Sequence, residues 1–369
     1  MTSYLLAGGG TAGHVNPLLA TADKLAERHP DAEVLVLGTR EGLEARLVPQ
    51  RGYELLTIAR LPFPRRPNAA ALRFPSGLRA AIAETRAIIR DRGIDVVVGF
   101  GGYAAAPAYI AAWQEKVPLV VHEANAKPGI ANRLGSWVTK YVGVAFSSTR
   151  LSHGTLVGMP LRREIETLDR RAERAAALDY FSLDAAKPVL LVTSGSSGAK
   201  RVNRTVADAI TFILGAGWQV VHVTGANSDV VDPGLPGYRL LGYCDRMELA
   251  IAVADLAVSR AGSATVSEFS AVGVPAVYVP YPVGNGEQRF NAADAVGAGS
   301  AIIVSDADFT PDWVLTTLVP LLQDRALVAE MAARSSSVGV LDGAARMVDL
   351  IDRAVAEHPA APSSPLPTP

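Results

Sequence analysis

The chain has 369 residues, more than one ordinary hydrophobic core organises, and at about 100–200 residues per domain the length predicts two domains. Hydrophobic residues make up 49% and charged residues 19%, which excludes a disordered polymer, and a net charge of −1 from 35 basic and 36 acidic side chains excludes a dedicated nucleic-acid binder. The single cysteine, Cys244, excludes an internal disulfide and a cysteine-rich zinc site.

In chain order, an apolar run at 4–7 enters Gly8-Gly9-Gly10-Thr11-Ala12-Gly13-His14 and a helical pattern over 16–28. Glycines let backbone approach a ligand, and the helix start favours negative charge. The loop lacks the GxGxxG spacing of a dinucleotide site and the Lys-Ser/Thr of a P-loop, which argues against a dehydrogenase or a nucleotide hydrolase. His14 has the chemistry to exchange a proton with a substrate; a helix-start residue bonded to backbone is the plainer alternative. The opening run is too short for a secretory signal, and no stretch of about 18 apolar residues spans a membrane. The expectation is a cytoplasmic protein with room for peripheral membrane contact.

A strand pattern at 33–37 precedes a stretch rich in arginine: Arg60, Arg65, Arg66, Arg73, Arg79, Arg86, Arg90 and Arg92 against Glu84 and Asp91. Leu61, Phe63, Leu72, Phe74, Leu78 and Ile82 are interleaved, with a helical pattern over 78–92. This composition suits either an anionic membrane surface or an amphipathic helix with a solvated basic face. Strand patterns follow at 96–99, 119–122 and 141–145. The second of these strands, at 119–122, ends in His122-Glu123-Ala124-Asn125, a polar cluster where open α/β sheets bind ligands; without a second histidine it is not a zinc-protease motif. Gly158 and Pro160 mark a join over 157–163, followed by a charged helical stretch at 162–174.

The pattern then repeats. A strand at 189–193 enters Ser194-Gly195-Ser196-Ser197-Gly198-Ala199 and a helix over 203–214. Strands at 219–223, 239–241, 256–259 and 276–280 alternate with helices at 247–253 and 263–272. Apolar strands separated by helices predict parallel sheets covered on both faces, here two Rossmann-like halves. Ser259 to Glu268 runs from a strand into a helix, and Glu268 is a carboxylate suited to two ribose hydroxyls. Gly284-Asn285-Gly286-Glu287-Gln288 offers donors and acceptors suited to sugar hydroxyls. A helical pattern over 344–355 precedes a proline- and serine-rich tail, 359–369, expected to lack fixed structure.

Taken together, GGGTAGHVNP, GFGGYAAAP, HEANAKPGIANR, VGMPLR, SRAGSATVSE and GNGEQRFNA resemble, in order, the motifs of the MurG family of peptidoglycan glycosyltransferases. The likeness runs from about Tyr4 to about Val355. It implies a GT-B fold: an acceptor- and membrane-side Rossmann domain over 1–161, a nucleotide-sugar domain over 162–343, sheets facing a central cleft, and a last helix over 344–358 packed back on the first domain. It implies transfer of N-acetylglucosamine from UDP-N-acetylglucosamine to lipid I, the undecaprenyl-pyrophosphoryl-N-acetylmuramoyl-pentapeptide, giving lipid II. Its donor contacts map to Thr11, Ala12, Gly13, Asn125, Arg162, Ser196 and the backbone at Cys244. Ala264 and Thr265 map to further UDP-N-acetylglucosamine contacts, Glu268 to the ribose, and Gln288 with Glu287 to the sugar hydroxyls. His14 and Glu123 fall on the acceptor side, as first and second choice for the base. A membrane patch maps to Phe74, Leu78, Arg79, Ile82, Trp113 and Lys140. The second glycine loop departs from the family pattern GGSQGA at Ser194 and Ser197. The resemblance implies no cofactor and no metal, inversion at the sugar, the anionic inner face of the cell membrane as surface, and proteins of cell-wall synthesis as partners. A GT-B transferase with another lipid or natural-product acceptor, and a silent nucleotide-sugar binder, are the competing readings.

Overall fold

A computed structural model describes residues 1–62, 69–195, 198–283 and 286–358. The chain divides into two compact units, one of Met1–Pro160 joined by the segment from Asp342 onward, the other of Leu161–Leu341.

The first unit carries seven strands: β1 (Ser3–Ala7), β2 (Glu33–Gly38), β3 (Glu54–Thr57), β4 (Val96–Gly99), β5 (Leu119–Glu123), β6 (Tyr141–Val144) and β7 (Gly154–Leu156). They form one parallel sheet in the order β3-β2-β1-β4-β5-β6-β7. Burial on both faces explains why β1 is apolar from Tyr4 to Ala7. Tyr4 and Leu6 enter the layer made by the helices Ala12–Arg28 and Gly343–Ala356. Leu5 and Ala7 enter the opposite layer with Ala81, Ile89 and the alanines of Ala105–Glu115. Met347, Val348, Leu350, Ile351 and Ala354 of the last helix are buried in the first core, each large side chain contributing roughly 1.5–3 kcal/mol by leaving water.

The second unit carries β8 (Val189–Thr193), β9 (Gln219–Val223), β10 (Tyr238–Leu241), β11 (Leu256–Ser259), β12 (Ala276–Tyr278) and β13 (Ala301–Ile303). Its parallel order is β10-β9-β8-β11-β12-β13. Leu190, Val192, Val220, Val258, Val277 and the fully enclosed Trp218 centre its core.

Every strand read from the sequence is present. Three strands were not anticipated, β3, β7 and β13, and all three are sheet edges. An edge strand is short and half-solvated, and β7 is exposed at every residue, so no apolar run announces it. The first helix begins at Ala12 rather than 16, with His14 N–H and Val15 N–H both donating to the Thr11 carbonyl. The arginine-rich helix begins at Ala69 and runs through Pro75 to Asp91. The pattern over 203–214 divides into Lys200–Asp208 and Ile210–Gly215.

Candidate active site

Ligands of open α/β sheets sit beyond the carboxyl ends of the strands, beside the point where strand order reverses. In the first unit β1 and β4 flank that point. The loops after β1 and β4 press together: Gly102 has φ +85°, and a Cβ on it would lie 2.3 Å from the Gly9 carbonyl oxygen. Only glycine fits there. His14 stands in the first turn after the loop, with Nδ1 3.2 Å from Thr11 Oγ1. A Cβ on Gly101 would meet its ring at 3.0 Å. Burial lowers the His14 pKa, the Gly9 carbonyl and the Glu44 carboxylate pull it up, and the net direction is down. The imidazole is therefore neutral near pH 7, the form that accepts a proton. Thr11 and Ala12 are exposed, Gly13 is half-buried, and the Thr11 side chain does not cap the helix. The Ala12 and Gly13 N–H groups have no acceptor among the described residues and stay available for an anion, whereas His14 N–H is bonded to the Thr11 carbonyl.

Glu123 ends β5 and is buried. Both of its oxygens are engaged. Oε1 accepts from the Asn125 amide at 2.8 Å and the Asn125 side chain at 3.4 Å. Oε2 accepts from Gly129 N–H at 2.9 Å and Asn132 Nδ2 at 2.9 Å. Burial raises its pKa against the pull of these donors. Asn132 also donates to the His122 carbonyl at 3.0 Å and accepts from the Tyr109 hydroxyl at 2.6 Å. Gly99 and Gly135 make room for that tyrosine, since a Cβ on either would meet its ring at 1.9 and 2.8 Å. The carboxylate thus fixes the 123–132 loop and holds Asn125 beside the site. His122 donates Nε2–H to the Gly158 carbonyl at 3.0 Å, and burial pushes its pKa down to about 4.

His14, Glu123, Asn125 and Asn132 line a cavity of about 350 Å³ whose remaining wall is apolar, with Leu61, Phe74, Leu78, Pro107 and Ile110. Two residues expected on a membrane patch, Phe74 and Leu78, therefore form a wall of this cavity. Trp113 and Lys140 line a different groove, of about 400 Å³, with Val138, Tyr141 and His358. Lys140 pairs with Glu357 at 2.5 Å, Ile82 packs against the core, and Arg79 is exposed.

The arginine count of the 60–92 stretch overstates its free charge. Arg86 and Arg90 pair with Glu115, Arg92 pairs with Glu33 and Glu54, and the Arg60 guanidinium stacks 4.8 Å from the centre of the Tyr103 ring. The acids that neutralise them lie outside the stretch, where local composition does not show them. Phe63, Arg65 and Arg66 are outside the described residues.

In the second unit Arg162 and Glu268 meet. Nε and Nη2 of Arg162 donate to Glu268 Oε1 at 3.3 and 3.1 Å, and the Glu268 side chain is only 13% exposed. Burial raises the Glu268 pKa and the arginine opposes it. Glu268 lies on the helix Ser263–Ala271, whose first turn holds Ala264 and Thr265. Cys244 is buried in the loop after β10, where burial pushes its thiol pKa up. Gln288 Oε1 accepts from Tyr281 N–H at 2.9 Å. Glu287 opens the helix Glu287–Asn291, and its Oε2 is buried with no hydrogen-bond partner among the described residues. Ser196, with Ser197, Gly284 and Asn285, lies outside the described residues. Ser194 keeps a negative φ, while Gly195 and Gly198 take +77° and +70°.

A buried polar chain supports the second glycine loop. Tyr238 bonds His222 Nδ1 at 2.9 Å, His222 Nε2 bonds Asn203 at 3.3 Å, and Asn203 donates to the Thr224 carbonyl at 2.8 Å. A Cβ on Gly198 would lie 2.1 Å from that same carbonyl oxygen. Sequence reasoning missed this chain, and it missed Glu44, Tyr109 and Asn132. Only Asn132 had a signal, since it lies within the HEANAKPGIANR motif. Among the described residues no cluster of histidine, cysteine and acidic side chains is arranged to hold a metal, and no helix is long and apolar enough to cross a membrane.

Residues 4–144 match the N-terminal domain of glycosyltransferase family 28, and residues 189–347 match its C-terminal domain. With two doubly wound units, each opening in a glycine loop, the protein is a glycosyltransferase of the GT-B fold. It is 65% identical over 351 residues, 95% of this chain and 98% of the relative, to a protein of Leifsonia xyli subsp. xyli named UDP-N-acetylglucosamine--N-acetylmuramyl-(pentapeptide) pyrophosphoryl-undecaprenol N-acetylglucosamine transferase. A protein of the same name from Clavibacter sepedonicus is 61% identical over 364 residues, covering 98% of this chain and 99% of the relative. The crystal structure of Acinetobacter baumannii MurG matches with a TM-score of 0.79 at 29% identity, over 96% of this chain and all of that one. The chain belongs to glycosyltransferase family 28 and, within it, to the MurG family.

Proposed function

We propose that the protein transfers N-acetylglucosamine from UDP-N-acetylglucosamine to the lipid-linked acceptor lipid I, forming lipid II, by a metal-independent inverting displacement at the cytoplasmic face of the cell membrane. The observation that carries this reading is the full-length identity of 65% over 95% of the chain to a transferase of that name. The geometry of His14 agrees with it. The acceptor hydroxyl attacks the anomeric carbon, its proton passes to the neutral imidazole of His14, and UDP leaves with the electron pair of the broken carbon–oxygen bond. The amides of the first helical turn, Arg162 and Ser196 would offset charge on the departing diphosphate. Glu268 would accept from the ribose hydroxyls and Gln288 would read the sugar. Glu123, with both oxygens occupied by the loop it holds, serves better as the anchor of Asn125 than as a base.

For the membrane, the supporting features are exposed Leu72, Trp113, Ile130 and Trp137, with Arg73 and Arg79 carrying no ion pair among the described residues. Exposed aromatic and aliphatic side chains together with unpaired cations suit an anionic lipid surface.

The test is turnover in chelator with UDP-N-acetylglucosamine and three acceptors in parallel: a lipid I analogue, a simple lipid glycoside, and none. Turnover on the lipid I analogue alone is the expected result. Preference for the glycoside would make this a transferase for another acceptor, and UDP binding without turnover would make it a silent binder.

A further inference from the structure

Glu44 is a carboxylate that the chemistry above does not use. It opens the helix Glu44–Gln50 and is fully buried. Its partners are uncharged: Oε2 accepts from Gly10 N–H at 2.7 Å, and Oε1 accepts from the Thr39 amide at 2.9 Å and the Thr39 hydroxyl at 2.7 Å. A carboxylate taken out of water is destabilising unless donors surround it. Here burial works to raise its pKa, but the Gly10 and Thr39 donors prevail and hold it below the usual carboxylate range.

Three glycines make the space it fills. A Cβ on Gly9 would lie 2.3 Å from Oε1, on Gly42 2.0 Å from Oε2, and on Gly38 2.5 Å from Cγ. None of the three has a positive φ. They are glycine for room rather than for conformation, and what occupies the room is this side chain. Gly10 differs. It takes φ +89°, and its N–H points inward to the carboxylate, fixing the turn from which Thr11 and the first helix depart. The first turn of that helix carries His14, and the Glu44 charge favours the protonated imidazole. The other titratable groups around His14 are His122, which is neutral, Glu123, held by its loop, and Tyr103 with Arg60 stacked on it, beside the uncharged Thr11, Asn125 and Asn132.

We propose that Glu44 is a positioning residue for the transfer reaction: its carboxylate pins the first glycine loop through the Gly10 amide and so sets His14 and the first-turn amides against the substrates. This rests on the role given to His14 above.

Glu44→Gln keeps the size but turns one oxygen into a donor that must oppose either the Gly10 or the Thr39 N–H. Displacing the loop should lower kcat about tenfold to a hundredfold. Removing the negative charge destabilises the imidazolium, so the acid limb of kcat/KM moves to lower pH. The same direction appears in the His14 resonance when labelled histidine is titrated by NMR. Glu44→Asp keeps the charge but cannot reach both loops; it should lose kcat while His14 titrates nearer its wild-type position, and it serves equally if the glutamine variant does not fold. Folded variants with unchanged kcat and an unchanged His14 titration would overturn the proposal and leave Glu44 a packing residue. The NMR arm needs no substrate. A wild-type protein that transfers nothing would count against the proposed function, and the resonance shift would still decide the case of Glu44.

Discussion

Burial and charge act on His14 in opposite senses, and burial prevails. A base works only while unprotonated, so activity falls as pH drops through a pKa below the ordinary 6.5. The kcat/KM profile should therefore hold its plateau to a lower pH than an exposed histidine would permit. His14→Ala should abolish turnover while UDP-sugar binding, read by calorimetry, persists; near-normal turnover would remove His14 as the base. His122 and His222 act on stability instead. Both are buried neutral, with pKa values lowered from 6.5 to about 4. The unfolded chain gains their protons first as pH falls, so folding free energy is insensitive to them above about 6.5 and is lost progressively down to about 4. Thermal melts across that window should show Tm falling with acidification, and His222→Gln should flatten part of the fall. At this scale the sequence displayed His14, Glu123 and Glu268 because each sits in a short motif at a strand or helix end. Glu44 left no such trace. It bonds a residue 34 positions away, and its meaning exists only once two loops are folded together.

Among elements, the last helix makes the sharpest stability claim. Ile351 is fully buried on a first-unit core assembled from residues between Tyr4 and Val157, far earlier in the chain. Ile351→Ala should destabilise by about 2–5 kcal/mol, measured by denaturant unfolding of the whole chain; a loss within about 0.5 kcal/mol, as at a surface site, would contradict the packing. The central strands were legible because a parallel strand buried on both faces reads as a nearly continuous apolar run, as 96–99 and 189–192 do. Three of the four edges were not, since β7 shows only exposed residues and β3 and β13 pair on one side alone, whereas the edge strand β10 did carry a readable pattern. Helix starts were misplaced where glycine obscured them: Ala12 and Gly13 read as loop yet already belong to the helix that carries His14.

At the scale of the whole molecule, a net charge of −1 is an average that conceals its parts. Much of the basic segment is neutralised by Glu33, Glu54 and Glu115. Exposed apolar side chains should therefore carry more of any membrane attachment than the raw arginine count suggests. Co-sedimentation with anionic vesicles should weaken strongly when Trp113 and Trp137 are both replaced by alanine, and less when Arg86 and Arg90 are replaced. The reverse order would make attachment chiefly electrostatic. The reaction itself can be read directly. Purified protein incubated with labelled UDP-N-acetylglucosamine and a lipid I analogue, with the product identified by mass and its anomeric configuration read by NMR, tests it most directly. One N-acetylglucosamine joined to the muramoyl sugar in inverted configuration, with chelator present, is the expected product. Absence of that disaccharide, or a product that retains the donor's configuration, would contradict it.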